Sequence, residues 1–487
     1  MLFGAPAAIL APRLLLVASV VALCALGLVM VYSASSVTAY NDFGDASYYL
    51  DRQAVFVVCG AVLCVICAAA PYRLWTNIAV AACVWLVAVA LLALTALVGV
   101  EALGAERSLV VAGFAIQPSE VAKVAVLIAF VALHRAWQEG LIAPQAFVGL
   151  SAVAVGVPVI LIYQQPDLGT VVILLAGLLV CMVLAGIRWR VILLICALGI
   201  AYVVISCITQ PYHLTRILTM LDPWLDPTGD GYQTIQSLYA FGSGGVTGVG
   251  IGLSRQKYLY LPEAHTDFIF AIIGEELGLV GTLLTVLGFA VFIWAGLCIS
   301  RKAPDLAGCM LAGSLTAMIG FQALANMACV AGIAPVTGKA LPFISYGGSS
   351  MVTTLCMVGI VVSVSLRSRV GIVFERRRDD LLVFDGGRRA GGGGGGRAGG
   401  AARRAEGAGR SGDGGRPRDG TVVAFPGSSS RTQSAGSRQT GTSGGSGSLR
   451  GSRRFSDDGE CTGRLSSSSR RSRDGSNPRD GRRGPTR

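Results

Sequence analysis

The chain has no disulfide framework and no cysteine or histidine cluster at metal-ligand spacing. Of its 13 cysteines, 12 fall in or beside apolar stretches between Cys24 and Cys356, where they serve as small hydrophobes, and only Cys461 stands apart. Charge is sparse, at 14% of 487 residues, and residues 1–370 show no excess of either sign, with 16 basic against 16 acidic side chains. These absences exclude a disulfide-stapled domain and a cysteine-built metal module. What is abundant is apolar surface: 53% hydrophobic residues and a mean hydropathy of +0.62, in runs that recur at bilayer-spanning length. An ordinary soluble protein is thereby excluded.

The runs fall at 13–32, 53–70, 76–98, 117–134, 144–163, 168–187, 190–208, 267–299, 306–332 and 343–366. The expected fold is an all-α membrane protein: a polytopic bundle of ten transmembrane helices with a long outer loop and a disordered basic C-terminal tail. The first run, Arg13 to Tyr32, is followed by small residues at Ser33 to Ser36 but is longer than a signal-peptide core, so it reads as a retained helix. Alternate connections carry Arg73, Arg135, Arg188 with Arg190, Arg301 with Lys302, and Arg367, Arg369 and Arg376 to Arg378. The positive-inside rule makes these connections and both termini cytoplasmic. The other connections, 33–52, 99–116, 164–167, 209–266 and 333–342, then face outward and gather Arg107, Asp167, Arg216, Asp222, Asp226, Glu263, Asp267 and Lys339 on one side. The connection 209–266 is long enough to suggest function, and its glycine runs at 242–245 and 248–252 permit close backbone approach.

The domain boundary falls near residue 370, with 1–370 as the membrane domain and 371–487 as the tail. The tail holds 24 basic and 12 acidic residues and a six-glycine run at Gly391 to Gly396, with too few large apolar side chains to fold. Its charge suits the anionic lipids of the inner leaflet, at about 1 kcal/mol per basic residue near the surface. It lacks aromatic interleaving and any recognition module, so no nucleic-acid partner is expected.

The chemistry-bearing residues concentrate where Pro262-Glu263-Ala264-His265-Thr266-Asp267 runs into the eighth span. Ionisable groups at a water–lipid boundary are costly, and their default reading is functional. Asp267 is placed in the first helical turn, where the dipole favours an anion; the plainer reading is a helix cap worth about 1 kcal/mol. Glu275 and Glu276 lie about 12 to 14 Å deeper at 1.5 Å per residue. Lys123, after Glu120 in the fourth span, is the expected interhelical partner for one of them, and an internal ion pair that fixes packing is as good an account of Glu120, Lys123, Glu275 and Glu276 as any catalytic part. Lys339, Arg107 and Arg216 are outward cations that together suit a pyrophosphate, although each alone reads as a snorkelling side chain.

Several motifs now resemble one family. Gln117-Pro-Ser-Glu120, Gln165-Pro-Asp-Leu-Gly-Thr170, Arg216-Ile217 with Leu221-Asp-Pro-Trp-Leu-Asp-Pro227, Gly231-Tyr-Gln-Thr-Ile-Gln-Ser237, Pro262 to Phe268 and Pro342-Phe-Ile-Ser-Tyr-Gly-Gly-Ser-Ser350 stand in the order seen in the SEDS family (shape, elongation, division and sporulation). The resemblance covers residues 13–367, and the stretches Leu253 to Pro262 and Glu275 to Gly278 look more like the division member and its sporulation relative than the elongation member. It implies a ten-helix peptidoglycan glycosyltransferase in the bacterial cytoplasmic membrane, at the division septum. Its substrates would be lipid II and the nascent glycan. Its partners would be a class B penicillin-binding protein transpeptidase and other proteins of the division machinery. The family's essential aspartate falls on Asp267. One departure is Ser108 after Arg107, where the family usually has Trp.

The implied reaction is inverting glycosyl transfer with release of undecaprenyl pyrophosphate, with Asp267 as general base. The leaving group needs cations, supplied by Arg107, Arg216, Lys339 or a divalent metal such as magnesium or manganese. Glu263 and His265 are candidates for substrate contact, His265 being either a proton relay or a solvated loop residue. A lipid-precursor transporter is the rival reading, and it makes Lys123 with Glu275 or Glu276 essential near the midplane. An elongation-type polymerase and a non-catalytic division scaffold are further readings.

Overall fold

The computed structural model describes residues 7–368 except 99, 103–104, 112–113, 166 and 210. The expected basic tail at 371–487 lies outside the described residues.

Helix starts follow local chemistry. Helix α1 (Ala7–Phe43) is followed by α2 (Tyr48–Ala69), the short α3 (Tyr72–Trp75) and α4 (Ile78–Val98). Helix α5 (Pro118–Gln138) and α6 (Pro144–Gln164) both open on proline, whose missing N–H would have had no partner in the first turn. Helix α7 (Leu168–Leu184) is capped by Asp167, which accepts from the backbone N–H of Thr170, and α8 (Trp189–Thr209) follows. After the outer segment come α9 (Pro211–Leu221), α10 (Tyr232–Gly244), α11 (Ile269–Glu276), α12 (Gly278–Arg301), α13 (Leu306–Val330) and α14 (Gly348–Leu366). Asp305 caps α13 by accepting from Gly308 N–H at 2.7 Å.

Among the described residues, eight helices are long and apolar enough to cross a membrane: α1, α2, α4, α6, α8, α12, α13 and α14. Helix α7 is a shorter apolar helix of 17 residues. Helix α5 is 21 residues long but carries Glu120, Lys123, His134 and Arg135. These ten occupy the ten expected spans, and the chain is an all-α polytopic membrane protein. Helix α13 is 78% buried over its most apolar stretch and α8 only 11%. Helix α13 is therefore central and α8 peripheral, with Leu193, Ile200 and Ile208 turned out toward what would be lipid.

Side chains tie four of the five basic connections together. Tyr72 Oη donates to Asp305 at 2.8 Å, with Arg73 3.9 Å from the same carboxylate. Arg135 donates to Thr76 Oγ1 at 2.8 Å, and Arg367 to the Ala69 carbonyl at 2.8 Å. Arg13, near the start, donates to the Ser365 carbonyl at 2.6 Å. These connections therefore share one end of the bundle, as the charge pattern requires.

Four expectations for the chain path are corrected. The connection expected at 33–52 shrinks, because α1 continues to Phe43. The connection expected at 99–116 contains a small antiparallel sheet of β1 (Val100–Ala102), β2 (Ala105–Val111) and β3 (Phe114–Ile116), in the order β1-β2-β3. The long segment 209–266 folds into α9, a single 3-10 turn at Pro223–Leu225 and α10. The eighth span, expected to be continuous over 267–299, breaks between α11 and α12.

That break is made by backbone lacing. Val249 and Gly250 N–H donate to the carbonyls of Glu275 and Glu276 at 3.0 Å each, and Leu279 N–H donates to Gly245 O at 3.0 Å. The last carbonyls of α11 are thus satisfied by a neighbouring strand of chain rather than by continuing helix. Only glycine permits this approach: Gly248 and Gly278 have φ of +81° and +66°, and a Cβ at Gly248 would sit 2.1 Å from Glu276 O.

Candidate active site

The turn 261–268 joins the laced segment to α11. Glu263 adopts φ +54°, an uncommon conformation for a side chain of its size. It is held there because its carbonyl accepts from Thr266 N–H and Phe268 N–H, both at 3.2 Å. Its carboxylate turns back to accept Thr266 Oγ1 at 2.6 Å. Backbone strain maintained by surrounding bonds is a mark of functional turns.

Asp267 lies two residues before the first residue of α11, with Phe268 in the cap position. This corrects the expectation of a first-turn aspartate. The residue is half-buried, and its carbonyl accepts Asn326 Nδ2 at 2.8 Å. The same amide nitrogen donates to Lys339 O at 2.8 Å, so Asn326 on α13 sets the Asp267 turn against the segment 334–340. Between them lies Gly338, at φ +64°. A Cβ built there would be 3.5 Å from Asp267 Oδ2 and 3.8 Å from Arg216 Nη1. Carboxylate and guanidinium therefore converge over one bare stretch of backbone.

Arg216 reaches this point from α9 and donates to the Val336 carbonyl. It stands at a boundary. On one side is a cleft of about 280 Å³ with polar walls, including Asp230, Gln233 and Thr234. On the other is a groove of about 430 Å³ between α7, α8 and α13, with apolar walls such as Val172, Val203, Phe321 and Leu324.

Lys339 departs from expectation. It is 4% exposed, and its Nζ lies 2.7 Å from Asp167 Oδ2, which is 2% exposed. Asp167 also accepts Thr170 Oγ1 at 2.7 Å, and Gln117 Nε2 and Ser119 Oγ at 3.2 Å each. The αL turn at Gly338 sends the next side chain inward, so Lys339 locks the segment in place instead of offering an open cation. Arg107 falls on β2, and its side chain lies outside the described part of the structure.

His265 is neither solvated nor set beside Asp267 as a relay. Its ring packs against Tyr49 at 4.5 Å and Tyr346 at 5.7 Å between centroids, and its carbonyl accepts Tyr346 N–H at 3.0 Å. Burial pushes its pKa below the ordinary imidazole value, against the opposing pull of Glu263 and Asp42.

The expected Lys123 pairing with Glu275 or Glu276 is also corrected. Lys123 Nζ bonds Glu120 at 3.0 Å, one turn away on α5, and Gln322 of α13 at 2.7 Å. Glu275 accepts Ser254 Oγ and the Arg255 N–H, the latter at 2.9 Å. Glu276 accepts Ser33 Oγ at 2.7 Å and has Lys257 Nζ at 3.7 Å. Both carboxylates fasten the 254–257 segment to the helix break, so the packing account fits all four charges. Asn326, Gln322, Gly338 and Lys257 were not singled out by sequence. Gly338, directly before Lys339, and Lys257, inside the stretch Leu253 to Pro262, each left a signal.

Among the described residues, no group of three or more His, Cys, Asp or Glu is placed to hold a metal. A divalent cation at this junction could be met by Asp267 and would need substrate phosphates for the rest of its shell, a donor set magnesium accepts.

The family described as cell cycle protein, FtsW/RodA/SpoVE, matches residues 13–370. Stage V sporulation protein E of Bacillus subtilis is 40% identical over 363 residues, 74% of this chain and 98% of that protein. A probable peptidoglycan glycosyltransferase FtsW of Geobacter metallireducens is 38% identical over 349 residues, 72% of this chain and 93% of that one. Among solved structures, a chain from work described as the structural coordination of polymerization and crosslinking by a peptidoglycan synthase complex shares 31% identity and a TM-score of 0.58, covering 73% of this chain and 98% of that chain. The rod shape determining protein RodA of Thermus thermophilus shares 27% identity and a TM-score of 0.54, over 73% of this chain and 97% of its own. Motifs, all-α polytopic architecture and matched length agree, and the chain belongs to the SEDS glycosyltransferase family of FtsW/RodA/SpoVE cell cycle proteins.

Proposed function

We propose that this protein is a peptidoglycan glycosyltransferase that polymerises lipid II on the outer face of the cytoplasmic membrane during cell division. The observation that carries the reading is the convergence of Asp267 and Arg216 over Gly338, at the junction of a polar cleft and an apolar groove. A lipid-linked sugar has the same division, with a saccharide, a pyrophosphate and a long hydrocarbon in series. The groove takes the hydrocarbon, Arg216 meets the pyrophosphate, and the sugar lies toward the cleft.

In this arrangement Asp267 removes the proton of the acceptor hydroxyl as that oxygen attacks the anomeric carbon. The bond from carbon to the pyrophosphate oxygen breaks, and its electron pair leaves with undecaprenyl pyrophosphate. A positioned base contributes about 10²- to 10⁴-fold. Arg216 stabilises the charge gathering on the leaving oxygen and needs no proton to do so. A divalent cation held by Asp267 and the phosphates would supply the same charge neutralisation. Arg107 is a further candidate cation. Lys339 acts through the backbone it anchors, Glu263 through the turn it closes, and His265 through the ring packing that holds the turn to α2.

The naming of one structural relative as a complex that coordinates polymerisation with crosslinking supports a class B penicillin-binding protein as partner. Basic connections at one end of the bundle support outward placement of the Asp267 end, with both termini cytoplasmic. The transporter reading loses its main support, because Lys123, Glu275 and Glu276 are each satisfied locally.

The test is reconstitution of the full chain with its transpeptidase and labelled lipid II. Wild type forms glycan polymer, and Asp267→Ala forms at least about 100-fold less. Polymer from the variant at the wild-type rate overturns the reading.

A further inference from the structure

The segment 335–340, which carries Gly338, has no regular secondary structure, and among the described residues it makes no backbone–backbone hydrogen bond. Side chains set its path instead. Arg216 donates to Val336 O, Cys329 to Pro335 O, Asn326 to Lys339 O at 2.8 Å and Gln322 to Ala340 O at 3.0 Å. Gln322, Asn326 and Cys329 follow one another at helical spacing along a single face of α13. Asn326 also holds the Asp267 carbonyl, so this face fixes both strands of chain that meet at Gly338.

The direction of the Gln322 amide is set from the far side. Its Oε1 accepts Lys123 Nζ of α5 at 2.7 Å, and Lys123 is wholly buried, with Glu120 Oε1 as counter-ion at 3.0 Å. The two ends of a carboxamide are nearly alike in shape, so packing alone does not choose between them. An ammonium has donors only. Facing Lys123, the amide must present its oxygen, and Nε2 is thereby turned to Ala340 O. Ser350 Oγ lies 3.5 Å from the same nitrogen, at the outer limit of a hydrogen bond, so Ala340 O is the principal acceptor. A buried ion pair is weak evidence for stability in itself. What this one supplies is the orientation of an amide.

We infer that Gln322 is a positioning residue for glycosyl transfer, oriented by Lys123, which fixes Ala340 O and with it the Gly338 backbone over which Asp267 and Arg216 converge. The inference rests on the glycosyltransferase reading and gives the charge pair of α5 a part in it. Gln322 and Lys123 act through backbone and contact no reacting atom. A misplacement of about 1 Å in a reacting geometry costs about 100-fold, so loss of one anchor among several is expected to cost about tenfold.

The test measures kcat, KM for lipid II and unfolding temperature on the full chain reconstituted with its transpeptidase, with kcat expressed per folded molecule. Glu120→Gln with Gln322→Glu exchanges amide and carboxylate around Lys123. Net charge and the Lys123 ion pair are kept, but an oxygen now faces Ala340 O. This variant is expected to lose about tenfold in kcat, with KM within about twofold of wild type. Its unfolding temperature should stay near that of wild type. Glu120→Gln with Lys123→Met removes the orienting ammonium and leaves the amide free to reach Ala340 O part of the time, so its kcat should fall between wild type and the exchange variant. A merely structural role predicts that the exchange variant, which retains the ion pair, works at the wild-type rate. That result overturns the inference, as does a kcat lower without the ammonium than in the exchange variant. Asp267→Ala in the same assay keeps the two readings apart, since wild-type polymerisation by that variant overturns the glycosyltransferase reading of Asp267 and does not alter the order expected for the α5 and α13 variants.

Discussion

Asp267 and the carboxylates Glu275 and Glu276 stand on one short stretch of chain, and their surroundings are opposite. Glu275 and Glu276 are 1% and 0% exposed, and hydroxyls, backbone N–H groups or an ammonium meet them on every side that can be traced. Asp267 is half-buried beside a turn held in the left-handed region at Glu263, and its carboxylate converges with the Arg216 guanidinium over Gly338. Buried carboxylates are retained only when their charge is answered. The comparison teaches that charge inside a membrane protein marks function only where its partners leave room for something else. The glutamates hold the backbone, and the aspartate converges with a guanidinium over bare backbone.

The sharpest way to break that comparison is to neutralise each side with minimal change of shape. Asp267→Asn is expected to cut polymerisation by about 10²- to 10⁴-fold while unfolding in denaturant stays near wild type. If Asp267→Asn instead unfolds the protein and keeps its specific activity, the aspartate belongs with the glutamates and the contrast fails.

Lys339 tests the buried side. Lys339→Ala leaves Asp167 charged without its ammonium, and loss of one partner of a buried pair costs about 3–5 kcal/mol. Thermal unfolding of the purified protein measures it. Removing both charges, as Asp167→Asn with Lys339→Met, should cost less than Lys339→Ala alone, because no orphaned charge remains. A double variant worse than the single one would mean that Lys339 contributes more than the answer to Asp167.

Much of this was legible in the sequence. Apolar runs located the spanning helices, since bilayer length imposes itself on composition, and alternating arginines grouped the basic connections at one end. The turn at 262–267 was visible because polar residues abut an apolar run. Pairing was not legible. Which face of α5 carries Lys123 depends on how α13 packs against it, and Gln322 lies about 200 positions away. The break at Gly278 depends on carbonyl acceptors taken by Val249 and Gly250, a tertiary event that a hydropathy run cannot register. Lys339 looked like an outward cation because its neighbours are loop residues; the αL backbone at Gly338 turns it inside.

Gly338→Ala gives a smaller effect that sharpens the same contrast. The left-handed backbone costs a side chain about 1–2 kcal/mol. The added methyl meets Asp267 Oδ2 at 3.5 Å, an ordinary contact, so the fold tolerates it. The methyl nonetheless occupies the point on which carboxylate and guanidinium converge, and polymerisation should fall about tenfold, more than the stability loss explains. A variant with full activity would place the reacting atoms elsewhere.

The smallest effect expected is that of pH on the turn. His265 packs against Tyr49 and Tyr346, with Glu263 and Asp42 as the nearby acids, and burial holds its pKa below the ordinary value of about 6.5. The unfolded chain therefore binds more protons at this site than the folded one once pH falls below about 6.5, and folded stability declines with it. The decline ends below the lowered folded pKa, where both states are protonated. His265→Phe keeps an aromatic ring between the two tyrosines and leaves the carbonyl free to accept Tyr346 N–H, yet has no proton to bind. Its unfolding temperature should fall less than that of wild type between pH 7 and pH 5. An equal fall in both proteins would assign the acid sensitivity to the carboxylates, and the histidine would then be a packing ring only.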